Sequence, residues 1–288
     1  MKLRVSHLTR YVYAQEVSFS PHTLYLRPRE QAAQRLLDFS LNLSPSAKIV
    51  WTRDAHDNPL AMAWFWDRST TLNIRTEFTA ETLETNPFDF ILHKHAVNFP
   101  FTYQPAEQFA LGPSLAPPFE ETRDSLRAWL NERFADHPSE TVPYLSALNS
   151  LIHDSLSYRR RDERGIQPSA QTLAYGTGSC RDYAVLFIEI CRTLGLAARF
   201  VSGYVYDPPA EDGTVSAAAG TMHAWTEVYL PGAGWKGLDP THGVWCTDAH
   251  LPVAVAVLSE TVNPIQGAYY ASQPVPSNML TEVFVERL

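Results

Sequence analysis

The sequence predicts an α+β protein, a β-sandwich-like N-terminal domain followed by helices packed on an antiparallel sheet. Three observations predict it. The first ninety or so residues alternate apolar and polar positions between turn residues. From Glu120 the apolar period changes to that of a helix. After Gly195, strand-like segments follow one another with a short turn between two of them.

The strands of residues 1–95 are read from alternation. Leu3–Tyr13 and Ser18–Pro28 show it, and Leu37–Leu43, Lys48–Thr52 and Thr71–Phe78 continue it. The run Asp54-Ala-His-Asp-Asn-Pro supplies turn residues between two of them. Residues 96–118, rich in Pro and Phe, read as a connector lying on the surface. Residues 119–250 form the core. There, Leu126, Trp129, Leu130 and Phe134 make one apolar helical stripe, and Tyr144, Leu145, Leu148, Leu151 and Ile152 a second. A third helix begins near Cys180, because Ala184, Leu186, Phe187, Ile188 and Ile190 are dense enough to be buried, and Gly195 stops it. Ala197–Tyr206, His223–Leu230 and Gly234–Asp239 are consecutive strands, with Asp207–Thr221 a mobile loop. Residues 251–288 are a C-terminal extension packing on the core or on the β domain, closing with a strand over Thr281–Arg287.

Composition narrows the function. An apolar share of 45% with 19% charged residues is a globular balance. A net charge of −8 argues against a nucleic-acid partner, whose footprint is basic. No apolar run approaches the roughly 20 residues that span a bilayer, and the N-terminus lacks the apolar core of a signal peptide. The expectation is a cytoplasmic protein with no membrane partner, for which a homo-oligomer is an open arrangement. Three cysteines, with neither CxxC nor HExxH, suggest free thiols, no metal and no cofactor.

Chemistry concentrates in Gly176-Thr-Gly-Ser-Cys-Arg-Asp. Two glycines permit a tight turn, and a buried helix follows at once. A cysteine at that helix start faces unpaired N–H groups and the positive end of the helix dipole, which favour the thiolate and can hold an oxyanion. A base and an orienting carboxylate are then required. His223 opens one strand and Asp239 ends the next, so an antiparallel pair joined at Pro231-Gly-Ala-Gly brings both to one sheet end. Cys180, His223 and Asp239 are the expected nucleophile, base and orienter. Cys191 and Cys246 read as structural, and His242 and His250 as polar loop residues.

The blocks Gly178-Ser-Cys-Arg-Asp-Tyr-Ala, Leu194-Gly-Leu-Ala-Ala-Arg-Phe-Val-Ser-Gly-Tyr, His223-Ala-Trp-Thr-Glu-Val-Tyr-Leu and Gly234-Trp-Lys-Gly-Leu-Asp-Pro-Thr resemble the bacterial transglutaminase-like superfamily, in that family's order. The preceding β region resembles the N-terminal domain that accompanies this core in bacteria. His250-Leu-Pro-Val-Ala and Pro264-Ile-Gln-Gly resemble its C-terminal extension. The resemblance implies a papain-like core in which Cys180, His223 and Asp239 match the catalytic Cys, His and Asp. It implies that Gln167, in Gly165-Ile-Gln-Pro, shapes the cleft or the oxyanion site. Tyr175 and Trp225 flank the motifs as lining for an acyl pocket, with core packing as the other reading. One departure is His242, where the family often has Asn.

The superfamily includes cross-linking transglutaminases, peptidases, deamidases and inactive relatives, and bacterial relatives of this type are described as cysteine proteases. The expected activity is therefore acyl transfer or hydrolysis at amide bonds of a peptide or protein substrate through a Cys180 thioester. Some relatives are encoded beside ATP-grasp-type peptide ligases, which suggests a peptide-modification pathway as the source of partners. Two rivals are a catalytically silent peptide-binding module and an arylamine acetyltransferase-like enzyme. A metal hydrolase built on His223, His242 and His250 lacks a recognisable ligand spacing.

Overall fold

Alternation in β1 (Lys2–Phe19) buries Leu3, Val5, His7 and Thr9 on one face and turns Lys2, Arg4 and Arg10 to solvent. The sequence places one strand over Leu3–Tyr13 and a second over Ser18–Pro28. The structure, a computed structural model describing residues 1–161, 163, 165–207 and 221–288, carries the first on to Phe19 and begins the second at His22, with a register irregularity between Val12 and Val17 where β1 pairs with the strand over Ser69–Thr82. β2 (His22–Leu24), β3 (Gln34–Ser44), β4 (Ala47–Arg53), β5 (Pro59–Phe65) and β6 (Ser69–Thr82) follow. β1, β6 and β3 lie side by side in one antiparallel sheet, and β2, β5 and β4 in another. Tyr13, Val17, Phe19, Leu24, Ala61, Ala63, Leu72 and Ile74 fill the space between these sheets.

The stretch expected as a bare connector contains a helix, α1 (Pro105–Leu115). Pro105 takes the first helical position, where its missing N–H costs nothing, and the Gln104 N–H donates to Glu107 Oε2 at 2.9 Å. Gly112 and Pro113 inside it weaken the helical pattern that a sequence reading depends on.

The core begins with α2 (Glu120–Arg133) and α3 (Thr141–Ser155). Next come β7 (Ser157–Tyr158), α4 (Ser169–Tyr175), β8 (Thr177–Gly178) and α5 (Cys180–Thr193). The sheet is wholly antiparallel. It comprises β9 (Ala198–Val205), β10 (His223–Leu230), β11 (Gly234–Asp239), β12 (Val244–Trp245) and β13 (His250–Ala256), in the order β12-β11-β10-β9-β13. Ala224 and Val228 of β10 pack toward α5, whose Leu186, Phe187 and Ile190 are fully buried. The Thr226 hydroxyl donates to the Ala184 carbonyl at 3.0 Å and locks helix to strand.

After β13 the chain returns to the N-terminal sheets. β14 (Ile265–Gln266) pairs with β2, and β15 (Tyr269–Tyr270) and β16 (Ser277–Arg287) pair with β1. Leu3, Val5, Phe78 and Ala80 meet Tyr204, Leu251 and Val253 in an apolar contact between β region and core. The architecture is α+β. No helix among the described residues is long and apolar enough to cross a membrane. The loop expected over Asp207–Thr221 falls, apart from its two end residues, outside the described residues.

Candidate active site

Cys180 is the first residue of α5 and is 8% exposed. What fixes this helix start is Asp182, whose side chain is completely buried. Its Oδ2 accepts from the Ser179 N–H and hydroxyl, both at 2.8 Å. Its Oδ1 accepts from the Gln167 N–H and from Arg161 Nη1, both at 2.7 Å. Burial works against the Asp182 charge, yet these donors hold its pKa below the ordinary carboxylate value. The loop before Cys180 is thus tied to the first turn of the helix. The turn's N–H groups, which lack intrahelical acceptors, remain beside the sulfur.

His223 begins β10 opposite Gly203 of β9 and is 2% exposed. Gly203 is required by close approach, because a Cβ there would lie 2.3 Å from the Leu251 carbonyl oxygen and 2.5 Å from the Trp225 ring. The Trp225 ring stacks on His223 with centroids 6.1 Å apart. Asp239 ends β11, whose pairing with β10 runs from Leu230 opposite Gly234 to Thr226 opposite Leu238. His223 Nε2 and Asp239 Oδ2 are 2.7 Å apart, with neither side chain exposed to solvent.

Burial alone would push the His223 pKa down. The Asp239 carboxylate outweighs it, with a further contribution from Cys180, and the pKa rises to about 10. With Nε2 taken by Asp239, Nδ1 is the nitrogen left for the Cys180 thiol. It is buried, and besides Asp239 the side chain that interacts with the ring to raise its pKa is Cys180. Burial opposes the Asp239 charge as well, but His223, His242 and His250 hold its pKa well below the usual carboxylate range.

His242 and His250, expected as polar loop residues, converge instead on Asp239. His242 Nδ1 lies 2.7 Å and His250 Nε2 3.2 Å from the same Oδ2 that meets His223. Oδ1 accepts from the backbone N–H groups of Thr241 at 2.9 Å and His242 at 3.3 Å. His250 is buried at the start of β13, edge-on to Trp225. The signal for His242 was its position three residues after Asp239, within reach of an Asx-type turn. His250 carried none, because β13 pairs with β9, two strands removed from β11, and His250 reaches Asp239 beside the Trp225 ring.

The remaining sequence candidates separate. Gln167 is buried, and its side-chain N–H groups are given to Thr172 Oγ1 and the Thr177 carbonyl, both at 3.0 Å. It therefore shapes the loop ahead of Cys180, and its amide has no hydrogen left for an oxyanion. Tyr175, at the end of α4, is 65% exposed, so the core-packing reading does not hold for it. Trp225 is buried with Val201 and Val255, and the half-buried Cys246 packs against them. Burial pushes the Cys191 and Cys246 thiols up, which keeps both protonated.

Residues 3–81 match the bacterial transglutaminase-like N-terminal region, and residues 129–240 match the transglutaminase-like superfamily core. An uncharacterized protein of Mycobacterium tuberculosis is 27% identical over 298 residues, covering 99% of this chain and 92% of that one. The protein-glutamine gamma-glutamyltransferase of Pseudomonas aeruginosa is 25% identical over 127 residues, covering 41% of this chain and 18% of that protein. The solved structure of a "putative cysteine protease" from Cytophaga hutchinsonii superimposes with a TM-score of 0.74 at 19% identity, covering 100% of this chain and 91% of that one, and shares the fold. Both matched regions fall in the order in which the β sheets and the helix-backed antiparallel sheet occur, and the chain carries a transglutaminase-like superfamily core over residues 129–240 behind a bacterial transglutaminase-like N-terminal region over residues 3–81.

Proposed function

We propose that the protein is a cysteine-dependent acyl-transfer enzyme acting on amide bonds of peptides or proteins, with Cys180 as nucleophile, His223 as base and acid, and Asp239 as orienter. The observation that carries this reading is the fully buried His223–Asp239 pair, 2.7 Å apart, with Cys180 at the first turn of a buried helix interacting with the same His223 ring. The cysteine protease name of the Cytophaga hutchinsonii protein and the glutamyltransferase name of the Pseudomonas aeruginosa protein are in keeping with it.

In the proposed cycle His223 Nδ1 takes the Cys180 proton, giving a thiolate–imidazolium pair. The thiolate attacks the amide carbonyl, and the C–O π electrons move to oxygen, where the Cys180 backbone N–H holds the oxyanion. Collapse breaks the C–N bond, and Nδ1 returns the proton to the departing amine or ammonia. The thioester is then opened by water, in hydrolysis, or by an amine, in transfer. In each case His223 takes a proton from the attacking group and gives it back to the sulfur. Asp239 holds Nε2–H throughout, leaving Nδ1 to exchange protons with the substrate side.

The test uses a glutamine-containing dipeptide with hydroxylamine as acceptor. Hydroxamate is read with the amine present and ammonia release without it, alongside site-mapped labelling by iodoacetamide. Wild type is expected to turn over and to label at Cys180, whereas Cys180→Ala keeps its circular dichroism spectrum and loses turnover. Undiminished turnover in Cys180→Ala would remove the nucleophile assignment. A wild type that neither labels at Cys180 nor turns over any amide tested would favour the peptide-binding module.

A further inference from the structure

The proposed cycle uses one of the three imidazoles gathered on Asp239 and leaves the crowding of the other two unexplained. A carboxylate offers about four lone-pair positions. Asp239 receives five donors, two backbone N–H groups on Oδ1 and the rings of His223, His242 and His250 on Oδ2. His223, Asp239 and His242 each present a ligand-capable atom, all within 4.8 Å of one another. In tetrahedral coordination, bonds of about 2.0–2.1 Å put neighbouring ligand atoms roughly 3.3 Å apart, so small movements of these rings suffice to surround an ion.

We propose that His223, His242 and Asp239, with a solvent molecule as fourth ligand, form an inhibitory site for a divalent d-block cation, zinc being the best fit. Imidazole nitrogen with one carboxylate oxygen suits zinc, whereas calcium and magnesium take all-oxygen sets. A second feature supports the assignment from outside the cluster. The other nitrogen of His242, Nε2, faces Asp207 Oδ2 at 3.8 Å. When the ion takes Nδ1, the proton moves to Nε2, and a movement of under about 1 Å brings that carboxylate from ion-pair distance to hydrogen-bond distance. This is the carboxylate–histidine–metal arrangement that orients a ligand ring and raises its basicity. Asp207 and His242 are both partly exposed, which gives the ion a way in from that side.

Occupancy silences the proposed nucleophile without touching it. The ion takes His223 Nε2 in place of its proton; from an imidazolium that proton leaves to solvent, and in a neutral ring it moves to Nδ1, so in either case one proton sits on Nδ1. Such a ring has no lone pair to accept a proton from the Cys180 thiol, and it could protonate the departing amine only by becoming a metal-bound imidazolate, so the cycle stops from either starting state. Removing the ion restores the ring. The inhibitory consequence rests on the proposed role of Cys180, but the site itself does not, because the sulfur is not one of its ligands.

The experiment therefore uses Cys180→Ala, stripped with a chelator and titrated with Co2+ as a spectroscopic stand-in for zinc. The expected result is one equivalent bound, with visible d–d absorption and no thiolate-to-cobalt charge-transfer band, and competition by Zn2+. His242→Ala in the same background is expected to weaken binding more than tenfold. Should that variant fold poorly, Asp207→Asn, an exposed change that removes no ligand, is expected to weaken it about 10- to 100-fold. Absence of Co2+ binding to folded Cys180→Ala would overturn the proposal. So would a charge-transfer band in wild type that disappears together with binding in Cys180→Ala, because the ion would then sit on Cys180. Neither readout depends on turnover, so failure of this site is distinguishable from failure of the acyl-transfer reading.

Discussion

At the scale of single residues, Asp239 does more than its place after a strand announces. It is fully buried, and its charge is balanced by His223 together with donors from the turn it begins. Asp239→Asn keeps the shape but replaces the carboxylate by an amide that stabilises no imidazolium, so acyl transfer is expected to drop about 10²- to 10⁴-fold. Stability should change with it in a sign-defined way. The His223 pKa lies above its ordinary 6.5, at about 10, so its contribution is complete below pH 6.5 and is lost as pH rises toward 10. The Asp239 pKa is depressed, so its contribution is present above the ordinary 3.8 and is lost as pH falls below it. Urea unfolding of wild type is expected to weaken between pH 6.5 and 10, and Asp239→Asn to be flatter there. Parallel pH profiles would mean that the pair does not stabilise the native state. The positions of Cys180, His223 and Asp239 at a helix start, a strand start and a strand end could be read from the chain, because each is defined by local pattern and one short turn. His250 could not, because nothing between Asp239 and His250 records that β13 closes the far side of the sheet, beyond β9.

At the scale of elements, the site depends on how tightly β9 holds β10. The side chains of Trp225 and Glu227 alternate with Ala224, Thr226 and Val228, which face α5, so the indole lies on the strand face away from the helix, and His223 at the strand start stacks on that indole while interacting with Cys180. Gly203 lies opposite His223 and leaves the space that the Trp225 ring occupies. Gly203→Ala introduces a methyl group at 2.3 Å from backbone oxygen, a neighbour that cannot swing aside. Overpacking of this kind is expected to cost about 1–3 kcal/mol, read as a lower urea midpoint at unchanged m-value. An unchanged midpoint would show that β9 and β13 part easily at this point. The same element scale explains which features were hard to see. Strong periodic helices such as α5 are legible because burial repeats every third and fourth residue. α1 was not, because Pro105, Gly112 and Pro113 look like loop residues, and only the cap at Gln104 and the buried Leu111 reveal a helix.

For the whole molecule, the β region and the core are not consecutive beads. β16 comes from the end of the chain and pairs with β1 at its beginning, from Leu3 opposite Arg287 to Tyr13 opposite Ser277. Val283 of that strand also joins the apolar contact in which Leu3, Val5 and Phe78 meet Tyr204 and Leu251. His7 lies in the same contact and bonds the Tyr204 hydroxyl at 2.8 Å, and burial lowers its pKa to about 4, so it enters uncharged at neutral pH. Sequence alternation identified a closing strand but not its partner, since period-two patterning records which face is buried and not which neighbour lies alongside. The consequence is testable by deleting residues 277–288. Without β16, one edge of β1 loses its partner over most of its length, and such an edge is a template for pairing with other chains. The truncated protein is expected to unfold at lower urea and to show concentration-dependent light scattering that the full chain does not. Because β1 also carries Leu3 and Val5 into the contact with the core sheet, loss of β16 should loosen that contact too. A truncated protein that stays monodisperse with an unchanged urea midpoint would show instead that β1, β6 and β3 hold the sheet against the core without β16.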